Sequence, residues 1–168
     1  GFIGNNLIGE LLQKKKKAII YVLVRKESKK KFEAQKSEWG TGAKRVIPIT
    51  GDLTRPMLGI PAKKRRELEG EIGHIFHLAA VYDLLADAES QMRVNVDGTH
   101  NAVKFAENIK VRRFHHMSSI AAAGLYPGIF REDMFEEAHG LDNPYFRTKH
   151  DSEAVVRHEC HVPWRVYR

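Results

Sequence analysis

Apolar positions along this chain change period in a regular way. Leu7, Ile8, Leu11 and Leu12 recur at helical spacing, and predict an amphipathic helix over residues 5–13. Residues 18–24 then form a continuous apolar run rich in β-branched side chains, the pattern of a strand buried on both faces of a parallel sheet. A short strand is predicted at residues 46–50, a charged surface helix at 61–70 and a third strand at 72–78. Residues 87–108 read as one long helix with Met92, Val96, Val103 and Phe105 on its apolar side. Residues 113–119 read as a fourth strand and 162–168 as the last. Helices alternating with apolar strands imply βαβ crossovers, and so a doubly wound parallel α/β sheet.

Several polar groups fall where such a sheet binds ligands. Gly1 and Gly4 lead into the first helix, whose N–H groups and dipole suit a phosphate; tight helix packing is the other use of such glycines. About 20 residues on, where an acid often meets a ribose, stand Arg25 and Lys26. Two cations there suit a 2′-phosphate, and a solvated loop charge is the plainer reading. Asp52, just past a strand end, can bond an adenine amino group or cap the next turn. Ala79 and Ala80 are small enough for a cofactor to lie against the backbone. Asn95 is a polar amide near an apolar face, the usual setting of a satisfied core hydrogen bonder. Ser118 and Ser119 arrive at a strand's carboxyl end, and residues 124–142 form a loop long enough to cover a substrate. Tyr145 and Lys149 share a helix face, with Asn143 as N-cap and Pro144 in the first helical position. A free phenol ionises near pH ~10, and an ammonium at ~4 Å is worth on the order of 4 kcal/mol at an effective dielectric of ~20, enough to bring acid–base work to neutral pH. The same spacing also occurs on ordinary exposed helices.

Composition narrows the classes. The 168 residues, 42% hydrophobic and 29% charged, are an ordinary globular balance for one domain. A single cysteine, Cys160, excludes an internal disulfide and fits a reducing, cytoplasmic setting. No run approaches the ~20 apolar residues of a membrane span. The net charge of +7 permits nucleic-acid contact, but the basic residues fall in separate clusters at 14–17, 29–31 and 63–66, assigned to helix ends, so no nucleic-acid partner is expected. No metal is expected either, since His74 and His77 point to opposite faces of a strand. The chain starts at Gly1 in what looks like mid-motif and stops at Arg168 within an apolar alternation, so it reads as a fragment.

Jointly, these residues resemble the extended short-chain dehydrogenase/reductase family over essentially the whole chain. Gly1-Phe2-Ile3-Gly4 looks like the second half of its G-x-x-G-x-x-G turn, Gly51-Asp52-Leu53 its adenine-contacting strand end and His77-Leu78-Ala79-Ala80 its cofactor-lining strand. Asn95 to Thr99 resembles its helix motif, and Ser119, Tyr145 and Lys149 its catalytic set. Ser119 is preferred to Ser118 because it lies five residues before Gly124, as the family's serine does. Tyr21 to Arg25, His77 to Tyr82 and Ser119 to Gly124 with Tyr126 and Pro127 are similar to the branch that reduces fatty acyl thioesters.

The resemblance implies one Rossmann-type NAD(P)-binding domain over residues 1–168, truncated at both ends, without its first strand and C-terminal substrate region. In a sheet ordered 3-2-1-4-5-6 that strand is central, so the chain alone is expected to melt with low cooperativity. The implied cofactor is NADP, with NAD as the alternative, held by Gly1, Phe2, Ile3, Gly4, Arg25, Asp52, Leu53, Ala79, Ala80, Tyr145 and Lys149. Tyr145 would protonate the reacting oxygen, Lys149 assist the phenol and hold the nicotinamide ribose, Ser119 bond the carbonyl and Asn95 order a relay water. The implied substrate is a small molecule such as an acyl thioester. An NAD-dependent nucleotide-sugar epimerase or dehydratase, and a non-catalytic NAD(P)-binding regulator or scaffold, are the rival readings.

Overall fold

The computed structural model describes residues 1–81 and 87–168. They form two compact units, Gly1–Asp52 and Leu53–Arg168.

In the first unit Gly1 is the N-cap of α1 (Phe2–Lys14), which begins earlier than its apolar spacing suggests, so Gly4 lies inside the first turn. Arg45 donates to the carbonyls of Leu12, Lys15 and Ala18, taking up acceptors at the C-terminal end of α1 that no helical N–H reaches. β1 (Ile20–Val24) and β2 (Val46–Thr50) pair in parallel, Ile20 opposite Val46 and Val24 opposite Thr50. Ile8, Leu12, Val24, Phe32 and Val46 form the core, with Phe32 on α2 (Lys29–Gln35). β1 is not covered on both faces as expected: Leu23 is 37% exposed, because the packed cluster with α1 and α2 takes up only one side.

The second unit holds α3 (Ala62–Leu68), β3 (His74–His77), α4 (Ala88–Gln91), α5 (Gly98–Asn108), β4 (Arg113–Met117), α6 (Pro144–Glu159) and β5 (Trp164–Tyr167). Its strands are parallel in the order β3-β4-β5. Phe114, Val103, Ala106 and Val156 fill the core. The long helix expected over 87–108 is interrupted by a π-helical turn at Met92–Asp97. The carbonyl of Asn95 accepts the Thr99 hydroxyl at 2.6 Å, and a side chain competing for a helix carbonyl loosens the ladder there. Two of the basic clusters sit at helix ends as expected, Lys14 closing α1 and Lys29 to Lys31 opening α2, while Lys63 to Arg66 run through the short α3. Among the described residues no helix is long and apolar enough to cross a membrane.

Candidate active site

α6 begins as its sequence dictates. Pro144 takes the first position, and the Asn143 side chain accepts the Tyr145 N–H at 2.8 Å. Tyr145 is half-buried and Lys149, one turn on, is 3% exposed. Lys149 Nζ donates to the Met117 carbonyl at 2.9 Å. Burial pulls the Lys149 pKa down to about 8, against the upward pull of the Glu153 carboxylate.

The two serines after β4 have different fates. Ser118 is buried and donates its hydroxyl hydrogen to Glu153 at 2.6 Å. Ser119 is half-buried and caps the short turn Ile120–Ala123, its Oγ accepting the Ala121 N–H at 3.1 Å. An accepting hydroxyl keeps its own hydrogen to donate. The Ser119 turn is held to α6 by His150, whose Nδ1 donates to the Ala122 carbonyl at 3.0 Å.

Asn95 is 1% exposed and fully engaged. Its amide donates to the Val81 carbonyl at 3.0 Å and to Thr148 Oγ1 at 3.1 Å, and its oxygen accepts the Val81 N–H at 2.7 Å. It therefore ties the segment after Ala79 and Ala80 to the α6 turn that carries Lys149. Ala79 is exposed and Ala80 half-buried, while Tyr82 lies outside the described residues. Leu53 presses on Gly98, where an added Cβ would come within 2.8 Å of its side chain, and its carbonyl accepts from Asn101 at 3.0 Å.

Leu53, Ala79, Ala80, Asn95, Ser119, Tyr145 and Lys149 thus belong to the second unit. Gly1, Phe2, Ile3, Gly4, Arg25 and Asp52 belong to the first. There Gly1, Phe2 and Ile3 are exposed at the start of α1, which has no side-chain cap. Arg25 is exposed at the end of β1, its Nε 3.3 Å from Glu27. Asp52 is half-buried beyond β2.

Sequence reasoning missed Glu153, which has no exposure and accepts from Ser118, Arg157 and Arg168. Extending the Tyr145 to Lys149 spacing by one further turn would have found it. It also did not find the burial of His77 and His116 near Lys149. His77 lies 2.9 Å from Thr99 Oγ1 and is held near pKa 4 by burial and then by the Lys149 charge. His116, stacked on His77 at 5.4 Å, has no partner for either ring nitrogen among the described residues.

Gly124 closes the turn at φ +64°, and an added Cβ would run into the His139 carbonyl oxygen. That residue anchors the following loop, since His139 exchanges backbone bonds with Ala123 and Leu125. Gly124→Ala is expected to destabilise the protein by at least about 2 kcal/mol, read as a lower urea midpoint at unchanged slope.

A parallel α/β fold with this Tyr-Lys helix and strand-end serine is that of the extended short-chain dehydrogenase/reductase class. The chain belongs to the NAD-binding family described as Male sterility protein, which matches residues 1–168. It is 28% identical over 183 residues to a linear gramicidin synthase from Brevibacillus parabrevis, covering 100% of this chain and 4% of that protein. Human fatty acyl-CoA reductase 1 is 26% identical over 137 residues, covering 73% of this chain and 27% of that one. The terminal R domain of the myxalamid PKS-NRPS biosynthetic pathway superposes with a TM-score of 0.85 at 27% identity, covering 100% of this chain and 46% of that domain. The chain spans less than half of each.

Proposed function

We propose that the protein carrying this chain is an NADPH-dependent reductase of a carbonyl or acyl thioester. The observation that carries the reading is the buried Lys149, one turn from Tyr145 on a capped helix start and bonded to the strand end that leads into Ser119. The family membership and the fatty acyl-CoA reductase relative support the substrate class.

The residues present fit the cofactor. The start of α1, with Gly1 as its N-cap and no side chain taking its first N–H groups, suits a pyrophosphate at Gly1, Phe2, Ile3 and Gly4. As the family resemblance implies, in the first unit Arg25 would hold a 2′-phosphate and Asp52 an adenine, and in the second Leu53, Ala79, Ala80, Tyr145 and Lys149 would meet the cofactor, the last four at its nicotinamide end. When bound, NADPH supplies the hydride. Tyr145 gives its proton to the developing oxyanion, and the Lys149 ammonium keeps positive charge beside the phenol. Ser119 spends its remaining hydrogen on the carbonyl oxygen, which Ser118 has none left to do. Asn95, with its amide committed, acts as a positioning residue. Reduction of a thioester releases the thiol and leaves an aldehyde; a second round, where it occurs, would give the alcohol.

The test is NADPH oxidation by the full-length protein against acyl-CoA, ketone and nucleotide-sugar panels. Turnover is expected with an acyl thioester, and turnover confined to a nucleotide sugar with NAD would overturn the reading. Arg25→Ala is expected to raise KM for NADPH about tenfold and leave that for NADH unchanged, because one charge-assisted contact is lost.

A further inference from the structure

Two bonds of opposite polarity join α6 to the end of β4. Lys149 donates to the carbonyl of Met117, and Ser118, the next residue along the strand, donates back to Glu153, one turn further along the helix. Together with the His150 bond to the Ala122 carbonyl, these bonds from residues 117 and 118 to consecutive turns of α6 hold the strand end to the helix at three points.

Glu153 carries more than Ser118. Arg157 Nε donates to it at 2.7 Å and Arg168 Nη2 at 2.6 Å, and Arg168 also donates to the carbonyls of Met134 at 2.7 Å and Arg131 at 3.3 Å. The carboxylate is thus shared by the catalytic helix, the strand end before Ser119 and the loop that follows Gly124. Apolar side chains of similar volume would hold these elements together without desolvating a charge. A carboxylate in this place points instead to a job done for its neighbours. Lys149 is coupled electrostatically to His77 of β3, His116 of β4 and Glu153, one turn on in its own helix. Both histidines are kept neutral by burial, so the carboxylate of Glu153, itself bonded to Arg157 and Arg168, supplies the negative charge.

We propose that Ser118 and Glu153 are positioning residues of the active site: their bond sets Ser119 against Tyr145 and Lys149, and the Glu153 charge keeps Lys149 protonated. This rests on the catalytic reading above.

The test uses the full-length protein with Ser118→Ala, Ser118→Thr and Glu153→Gln beside Tyr145→Phe. Ser118→Ala is expected to lower kcat about tenfold with KM for NADPH and substrate little changed, and Ser118→Thr to recover most of it. Ser118→Ala keeps the charge, so the alkaline limb of kcat/KM, near pH 8, stays in place. Glu153→Gln is expected to move that limb down by about one pH unit. An NMR titration of the Lys149 side chain reads the same shift without turnover. A Ser118→Ala enzyme with full kcat, where Tyr145→Phe is inactive, overturns the positioning claim and leaves the catalytic reading standing. If Tyr145→Phe is active, the catalytic reading has failed. An unmoved Lys149 titration in Glu153→Gln then still overturns the charge claim by itself. Should Glu153→Gln fail to fold, the two Ser118 variants decide.

Discussion

Tyr145→Phe is expected to reduce kcat about a thousandfold while leaving cofactor affinity and thermal midpoint near wild type. A positioned general acid contributes roughly 10²–10⁴ to rate, and the substitution removes only the phenolic oxygen. The helix start does not depend on that oxygen, since Asn143 caps through the backbone N–H of residue 145. The ring also keeps its place beside Phe146, 6.5 Å between centroids. Loss of activity with the fold intact therefore reports on chemistry rather than stability. The measurement is kcat with the best substrate of the panel, NADPH binding by fluorescence, and a melt of the same sample. Undiminished turnover of every carbonyl and thioester would remove Tyr145 from the mechanism.

The features read correctly from sequence are those governed by neighbouring residues. The start of α6 is one: an Asn N-cap and a Pro in the first position act within three residues, so the Tyr145 to Lys149 face follows. The π-helical turn at Asn95 was not readable: the Thr99 hydroxyl takes the Asn95 carbonyl there, and Gly98 lies under Leu53, which is distant in sequence. The one-sided cover of β1 was hidden for a related reason. A continuous apolar run records which residues tolerate burial, not which elements arrive to bury them. Glu153 is the sharpest case: its partners come from the residue after β4, from its own helix and from Arg168, and only their convergence makes a fully buried acid tolerable. The serine pair lies between: the choice of Ser119 came from the family resemblance, while the difference in bonding, with Ser118 giving its hydrogen to Glu153, needs a partner 35 residues away.

Acid is expected to unfold this protein earlier than its carboxylates alone would require. His77, His115 and His116 are buried and all titrate below the usual histidine range, His77 at about 4 because burial disfavours its charged form and Lys149 repels it. As pH falls below about 6.5, the unfolded chain takes up protons that the fold refuses. It then binds more protons than the native state, and stability falls with pH. For His77 the window runs from 6.5 to about 4 and is worth about 3 kcal/mol, a large share of a typical domain's stability. Glu153 acts in a separate window. Burial would raise its pKa, but bonds from Arg168, Ser118 and Arg157 hold it below the usual carboxylate value, so its contribution is lost only at lower pH. Lys149 acts at the other end: stability should rise as pH climbs from about 8 towards 10.5, where only the unfolded chain still holds that proton. Urea unfolding at pH 7, 6 and 5 is therefore expected to show a steep loss across the histidine window. His116→Leu should flatten the slope and stabilise the protein at pH 5, because neither ring nitrogen of His116 has a partner to lose among the described residues. A stability that stays level from pH 7 to pH 5 would mean that these histidines take up protons within the folded state.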